Sequence, residues 1–357
     1  MSAPIRILVV NPGSTSTKLG LFENEKPVAI GKVDHPAKDL EAYPRILDQV
    51  PMRRQVMLDF LRQQGLAPAD LSAVVGRGGL LKPMVGGTYT VSARMAEDLQ
   101  SCVYGEHASN IGGVLAYSFH KEFDIPAFIV DPVVVDEMRD IARYSGLKEI
   151  PRRSIWHALN IRAVIRQVCA RENWDFNADN FVAVHLGGGI SVVAMEAGRC
   201  VDVSNGLEAG PYTPERAGTL PSLDLAALCY SGKYTHAEMK KLIVGRGGLM
   251  NYLGTSNLID IEKRIESGDE EAAAVLSGMA YQVAKEIGSY FAVLKGKLRA
   301  IVITGGAAHC SILVNDIKQY IESMGRVVVV PGEDELAALA LGALRVLRGE
   351  EKARTYE

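Results

Sequence analysis

Short runs rich in valine and isoleucine alternate along this chain with longer stretches whose apolar residues recur at helical spacing. That rhythm belongs to α/β architecture, in which sheet strands are separated by amphipathic helices. The apolar runs predict strands over residues 5–10, 18–22, 73–76 and 127–130, and again over 181–185, 191–196, 300–304 and 326–330. The 3.6-residue spacing predicts helices over 52–64, 94–100, 110–123, 155–172, 272–294, 312–324 and 335–348. The stretch 272–294 is rich in alanine and apolar on more than one side, which suits a helix buried between layers.

Three strands run straight into glycine-rich turns. The first reads Asn11-Pro12-Gly13-Ser14-Thr15-Ser16-Thr17-Lys18, the second His185-Leu186-Gly187-Gly188-Gly189-Ile190-Ser191, and the third Thr304-Gly305-Gly306-Ala307-Ala308. Without a Cβ, successive backbone N–H groups can close around an anion. Ser14, Thr15, Ser16 and Ser191 add hydroxyls, and Lys18 adds a point charge. Any one such turn could be an ordinary tight connection. Three of them predict a protein that wraps phosphates. After the first two turns a second strand follows at once, which leaves no room for a helix, so each pair is expected to be a β-hairpin. The G-x-x-x-x-G-K-[ST] phosphate loop occurs nowhere in the chain. Two such hairpin units imply a duplicated fold with a ligand held between the copies.

A length of 357 residues exceeds what one hydrophobic core usually carries, so two domains are expected. A polar stretch at 146–153, followed by Ser154 as helix cap, sets the boundary near Arg152. The apolar pattern at 335–348 is expected to pack back on the first domain. The domains then comprise residues 1–152 with 332–357, and residues 153–331. Net charge is −3 and no basic block occurs, which argues against nucleic acid as a partner. No secretory leader is visible and no apolar run approaches a membrane span, so a cytoplasmic protein without membrane contact is expected. The five cysteines are scattered and form no C-x-x-C pair, which points to reduced, mostly buried thiols; the histidines show no metal-binding spacing.

The motifs Asn11-x-Gly13-Ser14-Thr15-Ser16-x-Lys18 and His185-x-Gly187-x-Gly189-x-Ser191 resemble the two signatures of acetate and butyrate kinases. Residues 76–83 (GRGGLLKP), 107–110 (HASN), 129–138 (IVDPVVVDEM), 210–219 (GPYTPERAGT) and 330–335 (VPGEDE) are more similar to the butyrate branch. The resemblance implies two ribonuclease-H-like domains of the actin-like ATPase type, with a nucleotide cleft between them. It implies transfer of a phosphoryl group from ATP to butanoate with magnesium, giving ADP and butanoyl phosphate, in a homodimer or larger homo-oligomer. Acetate, propionate or isobutyrate as the acid, or an actin-like ATPase switch, are the alternatives.

A carboxylate acceptor is already ionised at neutral pH and needs no general base. Cationic groups and fixed donors should therefore dominate. Arg77 is the first candidate for the substrate carboxylate or the phosphoryl oxygens, since its fork can bind either. By resemblance Arg216 is a second arginine, and His157 hydrogen-bonds the transferring group. Asp131 orients Arg77, holds a magnesium-bound water, or simply forms a turn. The resemblance also makes Asn11 and Glu335 outer contacts to magnesium, with Asp334 as a substitute for Glu335. The nucleotide falls to the first turn (Asn11, Gly13, Ser14, Thr15, Ser16, Lys18), the second (His185, Gly187, Gly188, Gly189, Ser191) and the third (Gly305, Gly306, Ala307). His185 is expected to donate within its turn. Gly78, Gly79 and His107 are placed at the acyl end of the substrate pocket. The missing side chains at Gly78 and Gly79 suggest room for an acid longer than acetate.

Overall fold

A computed structural model describes residues 4–357. The chain divides into two compact units, one running to Val135 and completed by Asp334–Glu357, the other spanning Asp136–Glu333. The first boundary therefore falls before Asp136 rather than near Arg152. The intervening segment is bound into the second unit by its own contacts. The Arg139 N–H donates to the Val201 carbonyl at 3.0 Å, and Glu137 accepts from the Cys200 N–H at 2.9 Å. Arg152 reaches Asp202 at 3.0 Å.

In the first unit, β1 (Arg6–Pro12), β2 (Ser16–Glu23) and β3 (Lys26–Asp34) form an antiparallel meander. Parallel strands β4 (Ala73–Arg77) and β6 (Ala127–Val130) extend it past β1, and the short β5 (Thr88–Thr90) closes the far edge, giving the order β3-β2-β1-β4-β6-β5. Ile7, Leu8, Val9 and Val10 are fully buried, as expected of a central strand covered on both faces. The C-terminal helix Glu335–Leu347 packs against β1, and Gly342 lets it approach Val130 closely.

The second unit repeats the plan. β7 (Asn180–Leu186), β8 (Ile190–Glu196) and β9 (Arg199–Val203) form the meander, and β10 (Ala300–Gly305) and β11 (Val327–Pro331) run parallel to β7, in the order β11-β10-β7-β8-β9. The long helix Glu270–Val293 contributes Leu276, Met279, Val283 and Ile287 to the core of this unit. The two units are thus a duplicated, ribonuclease-H-like α/β fold, each an antiparallel meander extended by parallel strands.

The helix predicted from residue 155 begins at Ala158, with His157 in the capping position. The edge strands β3, β5 and β9 escape the apolar pattern; in β3 no residue is buried. No helix among the described residues is long and apolar enough to cross a membrane. All five cysteines are free, and Cys169, Cys200 and Cys310 are buried. Burial pushes the Cys310 thiol up to about 12, so it is inert beside the third turn.

Candidate active site

Parallel strands end together, and in each unit their carboxyl ends carry the candidate residues. In the first unit the register sets Val10 beside Gly76 and Arg77 beside Val130, so Asn11, Arg77 and Asp131 follow one another along one edge. Glu335, at the start of the C-terminal helix, joins them. Its Oε1 pairs with the Arg77 guanidinium, and its Oε2 accepts from Asn11 Nδ2 at 2.6 Å. Lys18 lies opposite Asn11 across the hairpin, on the same face of the sheet, and is exposed.

The first turn is arranged as a set of donors. The Gly13 N–H donates to the Ser16 carbonyl at 2.8 Å, and the His35 N–H to the Thr15 carbonyl at 2.7 Å. Ser14 and Thr15 are exposed, and among the described residues neither their N–H groups nor their hydroxyls have a protein partner.

Asp131 does not orient Arg77, whose ion-pair partner is Glu335. Its carboxylate accepts from the Gly87 N–H at 2.7 Å, and its own N–H donates to the Gly87 carbonyl at 3.0 Å. Asp131 adopts a φ of +39°, a conformation that costs on the order of 1–3 kcal/mol and persists only where surroundings fix it. The double link to Gly87 provides that fixation. Asp131 is thus a holder of the 86–87 loop.

The glycines after Arg77 do not open a pocket. A Cβ on Gly78 would lie 2.6 Å from Pro132 Cβ, and one on Gly79 would collide with Asn110. These residues are glycine so that the loop can lie flat against the helix Asn110–Phe123. Asn110, fully buried, clamps it there by accepting from the Leu80 N–H at 2.8 Å and donating to the Gly105 carbonyl at 2.9 Å. The room suggested for a longer acid therefore does not come from Gly78 and Gly79. His107 Nδ1 accepts from the Ser109 N–H at 3.2 Å. Loss of solvation, then the charge of Arg77, holds His107 below the usual histidine range, so it is a neutral group.

In the second unit the second and third turns lie side by side, because β10 runs parallel to β7 with Thr304 opposite His185. Gly305 has a φ of +96° and its backbone touches that of Leu186, a fit that any Cβ would break. Gly306 is open to solvent, and Ala307 is buried in the short turn of helix that follows.

His185 is buried beneath the second turn, with Nδ1 2.9 Å from Asn160 Oδ1 and Nε2 3.7 Å from Glu333. It stacks on His157, whose Nδ1 lies 2.9 Å from Ser191 Oγ. The Ser191 hydroxyl, fully buried, thus serves His157 from below and is not a donor at the tip of the turn. Arg216 donates from Nη1 to the Gly206 carbonyl, and its guanidinium occupies the space a Cβ on Gly189 would need. The same loop grips the turn again where Thr213 Oγ1 donates to the Gly188 carbonyl at 2.6 Å. Desolvation lowers the Arg216 pKa, with Glu215 opposing. Asn160, outside every motif, and Thr213, within the 210–219 motif but given no role there, are the supports that place His185 and Gly188.

The donor set suits magnesium, which takes few protein ligands and keeps several waters. Glu335 and Asn11 offer one carboxylate and one amide beside the first turn. No group of three or more histidine, cysteine, aspartate or glutamate residues among those described forms a metal cage.

Solved structures with similar folds include acetate kinase from Porphyromonas gingivalis, 22% identical with a TM-score of 0.81, the match covering 96% of this chain and 100% of that one. A propionate kinase from Francisella tularensis subsp. tularensis is 18% identical with a TM-score of 0.74, covering 95% and 98%. Acetate kinase from Entamoeba histolytica is 16% identical with a TM-score of 0.76, covering 94% and 98%. At these identities the likeness speaks for the fold. The sequence itself matches the acetokinase family model over residues 129–333, more than half of the chain. With its fold and its match to the family model in agreement, the chain belongs to the acetokinase family and is a carboxylate kinase.

Proposed function

We propose that this carboxylate kinase acts on a four-carbon acid, transferring a phosphoryl group from ATP to butanoate. The observation that carries the placement of the chemistry is the convergence of Asn11 and Arg77 on Glu335 at the carboxyl ends of β1 and β4, beside a turn in which the N–H groups of Ser14 and Thr15 find no acceptor among the described residues. The choice of butanoate rests on the five stretches similar to butyrate kinases, at 76–83, 107–110, 129–138, 210–219 and 330–335.

In this reading a carboxylate oxygen of butanoate forms the new bond to the γ-phosphorus, and the bond from that phosphorus to the β,γ-bridging oxygen breaks in line. ADP leaves with the electron pair. No proton is abstracted, because the acid is ionised throughout at neutral pH. The barrier lies in bringing anion to anion, and Arg77 lowers it by pairing with the carboxylate or the equatorial oxygens. The N–H groups of Ser14 and Thr15, with Lys18, take the terminal phosphate. His157, seated on His185, donates to the transferring group, and Arg216 braces the second turn. When bound, magnesium neutralises charge on the phosphates, and Glu335 and Asn11 would hold it through its water shell. A homodimer is also expected. Its candidate face is the helix Ser222–Cys229, which buries no residue and leaves Leu223 87% exposed.

Trapping of the acyl phosphate with hydroxylamine tests the substrate. Turnover is measured with acetate, propionate, butyrate, isobutyrate and valerate at fixed magnesium-ATP. A maximum kcat/KM at butyrate is expected. A maximum at acetate or propionate would retain the carboxylate kinase and overturn the butyrate reading. ATP hydrolysis with no hydroxamate from any acid would point to an ATPase switch.

A further inference from the structure

Beneath the first turn lies a fully buried arginine that none of the sequence motifs contains. Arg53 sits in the helix Val50–Gln63 with no exposed surface. Its five N–H donors are all used. Nε and Nη2 donate to Gln49 Oε1 at 3.1 and 2.8 Å. Nη2 also donates to the Ser14 carbonyl at 3.2 Å, and Nη1 donates to the Ser16 carbonyl at 2.8 Å and to Thr17 Oγ1 at 3.1 Å. Every acceptor is neutral, and among the described residues no carboxylate forms an ion pair with Arg53. Burial pushes its pKa down to about 10, which leaves it cationic at neutral pH.

Burying a charge without a counter-ion is costly, and a chain that needed only to brace a turn could do so with neutral groups. Two consequences of this arrangement bear on the turn above. First, Arg53 fixes the carbonyls of Ser14 and Ser16 toward the protein. His35 fixes that of Thr15, so no carbonyl of residues 14–16 is left without a protein donor. The N–H groups of Ser14 and Thr15 remain without protein acceptors. Second, the positive charge below the turn is paired with no anion among the described residues, and in a region of low dielectric it acts at longer range than an exposed lysine would.

We propose that Arg53 is a positioning residue for the phosphate site of the first turn, holding the turn's carbonyls away from the ligand and supplying a buried positive charge whose counter-ion is a phosphoryl group of the bound nucleotide. This inference rests on the reading of the first turn as a phosphate site. Arg53 itself does not touch the substrate.

Amide exchange on the wild-type enzyme, with and without magnesium-ATP, reports on the turn directly. Slowed exchange at Ser14 and Thr15 on adding nucleotide is expected. Unchanged exchange at both would overturn the first turn as a phosphate site, and Arg53's role with it. The variants then address Arg53 separately. Arg53→Lys keeps a cation but cannot span Gln49, Ser14 and Ser16. Its KM for ATP is expected to rise tenfold or more, with the KM for the carboxylate changed less than threefold. Gln49→Leu removes the acceptor of two of the five donors while retaining the arginine, and serves where Arg53→Lys does not fold. A rise of about threefold in the KM for ATP is expected there. Nucleotide-protected amides in the wild type, together with an unchanged KM for ATP in a folded Arg53→Lys or Gln49→Leu enzyme, would show that Arg53 only braces the hairpin.

Discussion

His157 stacks face to face on His185, with ring centroids 3.9 Å apart and planes 10° from parallel. Ser191 below one ring and Asn160 beside the other fix both orientations. His157→Ala is therefore expected to lower kcat by about a hundredfold, the usual effect of losing one preorganised donor. ADP affinity by calorimetry should stay within threefold. An unchanged kcat would make the stack a purely structural element.

Glu335 faces both Arg77 and Asn11, which gives two different variants two different signatures. Arg77→Ala is expected to cost turnover on the order of 10²–10³, while leaving ADP binding nearly intact. Loss of nucleotide binding instead would mark Arg77 as a structural residue. Glu335→Gln removes the carboxylate charge that pairs with Arg77, leaving at most a neutral acceptor, and weakens the candidate magnesium contact. The magnesium concentration needed for half-maximal rate should rise severalfold in a titration at fixed ATP.

Much of this was readable from residue order, and the exceptions have physical causes. Buried strands such as β1 and β7 announce themselves as unbroken apolar runs, and the hairpin turns as glycine with hydroxyls between two such runs. The edge strand β3 does not, because no residue of Lys26–Asp34 is fully buried and its larger apolar residues Val28, Ile30 and Val33 are exposed among lysines and an aspartate. Arg77 and Glu335 were visible as members of motifs, and His157 through the family resemblance. Arg53 was not, since an arginine in a helix looks like surface, and its contacts with Ser14 and Ser16 span 39 and 37 residues. The pairing of Arg77 with Glu335, rather than Asp131, spans 258 residues and depends on the C-terminal helix returning to the first sheet. Gly78 and Gly79 show the opposite error. A missing side chain read as empty space, whereas Pro132 and the backbone of Asn110 fill it.

That last point separates two readings of Gly79. If the glycine opened an acyl pocket, Gly79→Ala would shift preference toward shorter acids. Since its Cβ would meet Asn110, the substitution should instead destabilise the first unit by about 1–3 kcal/mol, the usual cost of overpacking. A thermal midpoint lowered by several degrees is expected, with the ratio of kcat/KM values for butyrate and acetate unchanged. A stable variant with a shifted ratio would restore the pocket.

His35 supplies the last prediction, on acid stability. It is buried, and its Nε2 lies 2.8 Å from Thr17 Oγ1. The Thr17 oxygen already accepts from Arg53, so its own proton is available to His35. Burial first, and the Arg53 charge second, hold His35 below the usual histidine value, with Asp34 opposing. The folded state therefore refuses a proton that the unfolded chain takes up near pH 6.5. Stability rises with pH wherever the unfolded state binds more protons. The contribution of His35 is thus complete above about pH 6.5 and is lost as pH falls toward its lowered folded value. His107, lowered as well, acts in the same direction. Urea midpoints measured from pH 7.5 down to 5 should fall less steeply for His35→Gln than for the wild type, and less again for His35→Gln with His107→Gln. A wild-type slope retained in both variants would place the acid sensitivity on other groups and leave the first turn's buried network neutral to pH.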